Sequence, residues 1–412
     1  MNMALLAMII PFAAIPVLLL LGGTRMSGIF GVLASLACWV GTLLVVWQGG
    51  QGFVSPGSVE AVFGAVAGLT GVGASLVTCM APASPRPRLN QAALQGVIGA
   101  SLVGLYADHA PLLWLAVEGG MMALACMSLA AGARAVALKT LVLGSVGAGL
   151  ALFGSLLVGG AAGAQGGALL PIALILGVGG CGLQILAMSG LGFVPGIAAV
   201  ALLNVPLLAV LRFRHIDPLA GVTMLLALAL VFLLGAAFCL RRRQEPMQVL
   251  GLASLQQAGL VLFAFGLGGM AAVFGGLLHM LLTSLLKTGL FASFCFTGAS
   301  KQRVWLRAAA LFALVGLPPS GLFVSEFIII HQTCLLHPWF CLPLALALVG
   351  GAVPLLRLAR KTAHTPSPAT PWRLNGLACV LLAVPLAGMV VLAFALPAPL
   401  AQLLMQVAKT WQ

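Results

Sequence analysis

The sequence predicts an all-α polytopic membrane protein, and three observations carry that prediction. Of 412 residues, 62% are hydrophobic and only 6% charged, and the mean hydropathy is +1.19. Runs of about twenty apolar residues, the length that crosses a bilayer as a helix, recur along the whole chain. These runs are continuously apolar and do not alternate, which selects helices over the strands of a membrane barrel. Basic residues sit in the short connectors between them, so the formal net charge of +13 reads as membrane orientation and not as nucleic-acid binding. With one Tyr in the chain there is no aromatic-basic interleaving of the kind that grips nucleic acid.

In order, the pattern gives about fourteen spans, near 3–22, 27–48, 60–80, 93–108, 111–133, 136–159, 167–190, 194–211, 218–240, 247–267, 271–297, 305–331, 338–358 and 374–397. The first lacks a basic leader and a cleavage site, so it is expected to be a retained helix and not a signal peptide. Connectors are too short for a soluble domain, and 1–412 reads as one membrane domain. The tail, 401–412, is expected to form a short interfacial helix.

Charge tests the span count. With the N-terminus outside, the inside connectors hold Arg25, Arg86, Arg88, Arg134, Lys139, Arg241, Arg242, Arg243, Lys301, Arg303, Arg307, Arg357, Arg360, Lys361 and Arg373, which is 15 of the 19 Lys and Arg residues. Only Arg212, Arg214 and Lys409 fall outside, an asymmetry that follows the positive-inside rule and places both termini outside.

The remaining basic residue, Lys287, lies in the eleventh span. His279, Thr283 and Lys287 are spaced i, i+4, i+8 and so share one helix face. A lysine at the centre of a span costs about 2.5–3.5 kcal/mol on insertion scales, and such groups face a bundle interior or a water path. Glu118 in the fifth span and Glu326 in the twelfth meet the same cost. Gln184, Gln256, Gln257 and Asn204 are expected to hold water or pack. Asp108–His109 and Arg212–His215 fall at the outside surface, where they read as solvated loops, with a channel mouth as the alternative.

Two spans look interrupted. Pro318 and Pro319 stand in the middle of the twelfth, within Gly316–Gly321, and proline breaks a helix and frees carbonyls. In the seventh, Gly177, Gly179, Gly180 and Gly182 cluster. Two weakened helices five spans apart suggest two inverted five-helix repeats, over about 93–211 and 218–358. The nine cysteines form no CxxC, so no metal, iron–sulfur or haem site is expected, and they read as small apolar core residues. No nucleophile–base pair or nucleotide loop points to catalysis by the chain itself, and no cofactor is implied.

At the level of motifs, HMLLTSLLKTGLFASFCFTG, LLWLAVEGGMMAL, ALKTLVLGSVGAGLALFGSLLV, ALLNVPLLAVLRF and GLPPSGLFVSEF occur in the order seen in a known family, between about residues 110 and 335. The chain resembles the antiporter-like subunits of respiratory complex I, Mrp antiporters and group 4 membrane-bound hydrogenases, nearest the F-type subunit of hydrogenase-4. That resemblance implies a multi-pass subunit of the bacterial inner membrane, with other membrane and soluble subunits as partners. It implies proton transfer through Glu118, His279, Lys287 and Glu326. It also implies an alternative, the membrane half of an inorganic-carbon (DAB-type) or Mrp-type cation/proton system, and departures from the family pattern motivate a third, a scaffold that conducts nothing. The departures are specific. The family's seventh-helix lysine is absent, with Gln184 near its place; Thr283 replaces a second histidine; and Gln256 and Gln257 stand where an acid and a histidine are usual.

Overall fold

A computed structural model describes residues 3–21, 24–48, 56–80, 85–161, 169–214, 218–243, 245–296, 300–364 and 372–410. His215, expected at an outer loop, lies outside these residues. The described chain is helical throughout, in the order α1 (Met3–Leu20), α2 (Thr24–Gln48), α3 (Ser58–Met80), α4 (Pro87–Tyr106), α5 (Ala110–Ala130), α6 (Arg134–Ala161), α7 (Leu170–Ala187), α8 (Phe193–Arg214), α9 (Pro218–Leu240), α10 (Pro246–Leu267), α11 (Met270–Cys295), α12 (Lys301–Leu314), α13 (Gly321–Leu336), α14 (Cys341–His364), α15 (Trp372–Phe394) and α16 (Ala398–Thr410). Twelve helices among the described residues are long and apolar enough to cross a membrane. The two other expected spans are α4 and the α12–α13 pair. α4 is less apolar because Asn90, Gln91 and Gln95 are buried along it. The expected tail helix is α16, which buries Leu404 and Ala408 on one side.

The chain divides into two compact units, Met1–Ala209 and Val210–Gln412. In the first, α4 packs on α1, α3 and α5, and α6 packs on α5 and α7. Neutral polar groups join its helices. Gln95 donates to the Gly31 carbonyl (3.0 Å) and to Ser35 (2.8 Å), and Ser35 pairs with Ser75 (2.7 Å). Such bonds hold membrane helices together where no hydrophobic force distinguishes helix from lipid.

The glycine cluster of the seventh span does not open the helix: α7 runs unbroken from Leu170 to Ala187. Its glycines serve close approach instead. A Cβ on Gly180 would lie 2.5 Å from the Gly147 carbonyl oxygen of α6, and one on Gly154 would lie 2.6 Å from the Ala173 carbonyl oxygen and the Gly177 nitrogen. The seam between α6 and α7 is therefore backbone against backbone, a packing that only glycine permits.

In the second unit α11 packs on α10, α13, α15 and α12. α10 and α11 are its enclosed helices, with 89% and 78% of their most apolar stretch buried, against 17% for α15. The expected break in the twelfth span is present. α12 ends at Leu314, Gly316 turns the chain at φ 79°, and the Pro318–Pro319 peptide is cis. Ser320 then caps α13, accepting from the Phe323 amide at 3.3 Å. Serine at that position satisfies one of the amide groups that a helix start leaves free.

Candidate functional site

The second unit gathers the ionisable groups. His279, Lys287 and Glu326 are 0%, 4% and 7% exposed, so none of them faces lipid. His279 and Lys287 lie on the same face of α11, about 12 Å apart along its axis at 1.5 Å per residue. Thr283 stands between them, its hydroxyl donating back to the His279 carbonyl at 2.8 Å, which leaves the oxygen's lone pairs for another donor. One residue beyond Thr288, Gly289 lets α15 press its Leu381 carbonyl against α11.

The His279 ring is held at both nitrogens. Nδ1 lies 2.9 Å from Ser325 Oγ on α13, and Nε2 is hydrogen-bonded to Gln257 Oε1 on α10. Because Gln257 Oε1 is an acceptor only, Nε2 donates to it, while the single Ser325 hydroxyl hydrogen is shared between Nδ1 and the Leu322 carbonyl, 2.9 Å from the same oxygen. Gln257 in turn donates to the Leu314 carbonyl at 3.1 Å, the last residue of α12 before the break. One chain of contacts thus joins α10, α11, α13 and the end of α12. Gln257, expected only to pack or hold water, is the partner of the histidine. Ser325 escaped the sequence reading altogether, although it stands in the quoted motif GLFVSEF beside Glu326.

Glu326 follows Ser325 on α13. Its Oε2 occupies the space where a Cβ on Gly316 would sit, so the carboxyl is seated in the turn between the half-helices. Its Oε1 is buried with no hydrogen-bond partner among the described residues. Pro318 and Pro319 therefore do what the sequence suggested, and the glycine beside them makes room for the acid. Gln256 faces away to α14, where it donates to the Ala347 carbonyl at 2.7 Å.

Two basic residues expected as connector charges are buried instead. Arg303 is 0% and Arg307 8% exposed. Arg307 donates to the Ser293 carbonyl in the last turn of α11, its Nε lies 3.3 Å from Ser293 Oγ, and its guanidinium stacks 4.5 Å from the Phe294 ring. A cation at a helix C-terminus satisfies free carbonyls and opposes the helix dipole.

The first unit differs. Glu118 is half-buried and lines a cavity of about 650 Å³ with Phe12, Ile15 and Leu19 of α1, Leu89 and Ala93 of α4, and Leu115 and Met122 of α5. Its walls are otherwise apolar. Gln184 is fully buried against Gly147 of α6, and neither amide atom has a hydrogen-bond partner among the described residues. Asn204 is buried on α8. Lys139, half-buried at the start of α6, donates to the Ser189 carbonyl just past the end of α7. Asp108 and His109 are exposed between α4 and α5, as expected of a solvated loop. Of the nine cysteines only Cys38 and Cys181 are buried, so the reading of all nine as core residues is corrected.

No family model matches the chain. It is 31% identical over 169 residues to the hydrogenase-4 component F homolog of Methylacidiphilum infernorum, a stretch covering 36% of each; the chain spans about a third of the length of that curated relative. Among solved structures it is similar to a chain of the archaeal membrane-bound sulfane sulfur reductase, with TM-score 0.79, 19% identity, and 99% and 97% of the two chains covered. A chain of Thermus thermophilus respiratory complex I gives TM-score 0.78 and 21% identity, covering 97% of this chain and all of that one. A chain of the Mrp complex of Dietzia sp. DQ12-45-1b gives TM-score 0.80 and 16% identity, covering 98% of this chain and 52% of that one. The resemblance expected from the motifs is borne out: the chain has the fold of the antiporter-like membrane subunits.

Proposed function

We propose that this protein is a proton-conducting membrane subunit of a hetero-oligomeric complex, and that conduction runs through its second unit. The observation that carries the reading is the His279 ring, clamped between Gln257 and Ser325 beside a buried carboxyl at a broken helix. Imidazole accepts a proton at one nitrogen and releases one from the other. The non-titrating groups on either side fix its orientation, as outer partners do for catalytic and metal-bound histidines. Lys287 and Glu326 are the acceptor and donor on the two sides of that ring, with Thr283 as a polar step between Lys287 and His279. Burial in a medium of low dielectric strengthens the interaction between such charges, so protonation of one site biases its neighbours.

The relatives and neighbours named above include, by their descriptions, components of a hydrogenase-type system, a respiratory complex and an Mrp complex. Their shared fold supports a partner-dependent membrane subunit whose translocation is driven from outside the chain. The second reading, a scaffold, is favoured for the first unit alone. There Glu118 opens onto an apolar cavity and Gln184 stands near the family's lysine position. The first unit would then hold partners while the second conducts.

The test is proton uptake in inverted vesicles that carry the intact complex. Lys287→Ala or Glu326→Gln should abolish uptake while the complex still assembles. Unchanged uptake in both variants rules out the relay.

A further inference from the structure

We propose that Cys334 and Cys341 form a disulfide that staples α13 to α14 on the outer side of the membrane. The two sulfurs are 3.0 Å apart. Cys334 lies in the last turn of α13 and is exposed, and Cys341 opens α14 and is half-buried. The turn between them is held on its own account. The His337 amide donates to the Thr333 carbonyl at 2.9 Å, and the Phe340 amide to the His337 carbonyl at 3.0 Å. Phe340 also packs edge-on against Phe263 of α10, with ring centroids 6.1 Å apart. The backbone thus presents the two thiols to each other before any bond forms, which is the condition a disulfide needs.

The side of the membrane follows from charge. Residues 331–345 contain no Lys, Arg, Asp or Glu, and Trp339, 91% exposed at the turn, is the amphipathic residue typical of a membrane–water interface. The basic residues of α14 are at its other end: Arg357, Arg360 and Lys361. Lys361 is twenty residues from Cys341, about 30 Å along a helix and close to the thickness of the hydrocarbon layer. The positive end marks the inside, so the cysteine end meets the oxidising compartment where disulfides persist.

Formation balances by exchange. The thiolate of one cysteine attacks the disulfide of an extracytoplasmic thiol–disulfide oxidant and releases one of its sulfurs as a thiolate. The second cysteine then displaces the oxidant from the mixed disulfide. Two protons are released from this chain, and the oxidant leaves as a dithiol after taking up two. The staple fixes the far end of the half-helix that carries Ser325 and Glu326. It does not depend on the proton relay, so either can fail without the other.

The experiment uses the full chain in its native membrane. Cells are quenched in acid without reductant, free thiols are capped with N-ethylmaleimide, and the digest is read by mass spectrometry. The expected result is a crosslinked peptide pair containing Cys334 and Cys341, lighter than the two thiols by two hydrogens. In intact cells a membrane-impermeant maleimide should label Cys334 only after reduction with a phosphine. In Cys334→Ser it should label Cys341 without reduction. Capping of both thiols in the quenched sample overturns the proposal, as does pairing with any other cysteine, or labelling that requires access from the inside.

Discussion

The two units bury different kinds of polar group. In the first, the buried polar side chains among the described residues are neutral: Ser, Thr, Asn and Gln, with every Lys, Arg, His, Asp and Glu at least partly exposed. In the second, His279, Lys287, Arg303, Arg307 and Glu326 are all buried. Neutral groups bonded to one another, as in the Ser35–Ser75–Gln95 set, hold helices together and cannot carry charge. Buried ionisable groups are costly in oil; Arg307 offsets that cost at the end of α11, whereas Glu326 Oε1 has no hydrogen-bond partner among the described residues. The comparison teaches that two halves of one chain can fill their interiors with different chemistry, neutral in the first and ionisable in the second.

Four measurements would break or sharpen it. The largest effect is expected from Lys287→Ala, which should lower proton uptake by more than about tenfold, or about 1.4 kcal/mol in barrier, while Glu118→Gln changes it by less than about twofold. Equal losses would show that the first unit conducts as well, and the contrast would be lost. Next is Gln257→Leu, which removes the acceptor at His279 Nε2 and leaves a buried donor unpaired. It should reduce uptake several-fold and destabilise the protein by about 1–3 kcal/mol in thermal unfolding. An unaltered rate would demote the histidine to a packing role.

Gly180→Val acts in the other half. It should destabilise by about 1–3 kcal/mol or more, since the added carbons meet backbone atoms of α6 that have no rotamer to change. Uptake by the assembled fraction should be unchanged, and a variant that assembles normally but does not pump would place function in the α6–α7 seam. The smallest effect is expected from Gln184→Leu. Removal of a buried amide without partners should be neutral to stabilising by about 1 kcal/mol, with no loss of uptake. A clear loss there would restore the seventh helix to the conducting path.

Much of this was legible in the sequence. The spans, the broken twelfth helix and the shared face of His279, Thr283 and Lys287 follow from periodicity and from proline chemistry. What the sequence could not give was which side chains meet across helices. Gln257 lies on α10 and Ser325 on α13, and nothing local to either marks it as a partner of a histidine on α11. The burial of Arg303 and Arg307 was hidden for a similar reason. A basic residue near a helix start reads as an orientation signal until the neighbouring helix is seen to offer its terminal carbonyls. The glycines of the seventh span were ambiguous because glycine both weakens a helix and lets two helices touch, and only the presence of α6 decides between the two. The half-exposure of Glu118 is a property of the groove between α1, α4 and α5, and no stretch of chain encodes it alone.

Gly316 ties geometry to chemistry at one position. Any other residue there would be strained by the positive φ and would also collide with the carboxylate of Glu326. The bend and the acid are therefore not separable traits: a side chain at that glycine would evict the carboxyl, and deletion of the carboxyl would leave a hole beneath the bend.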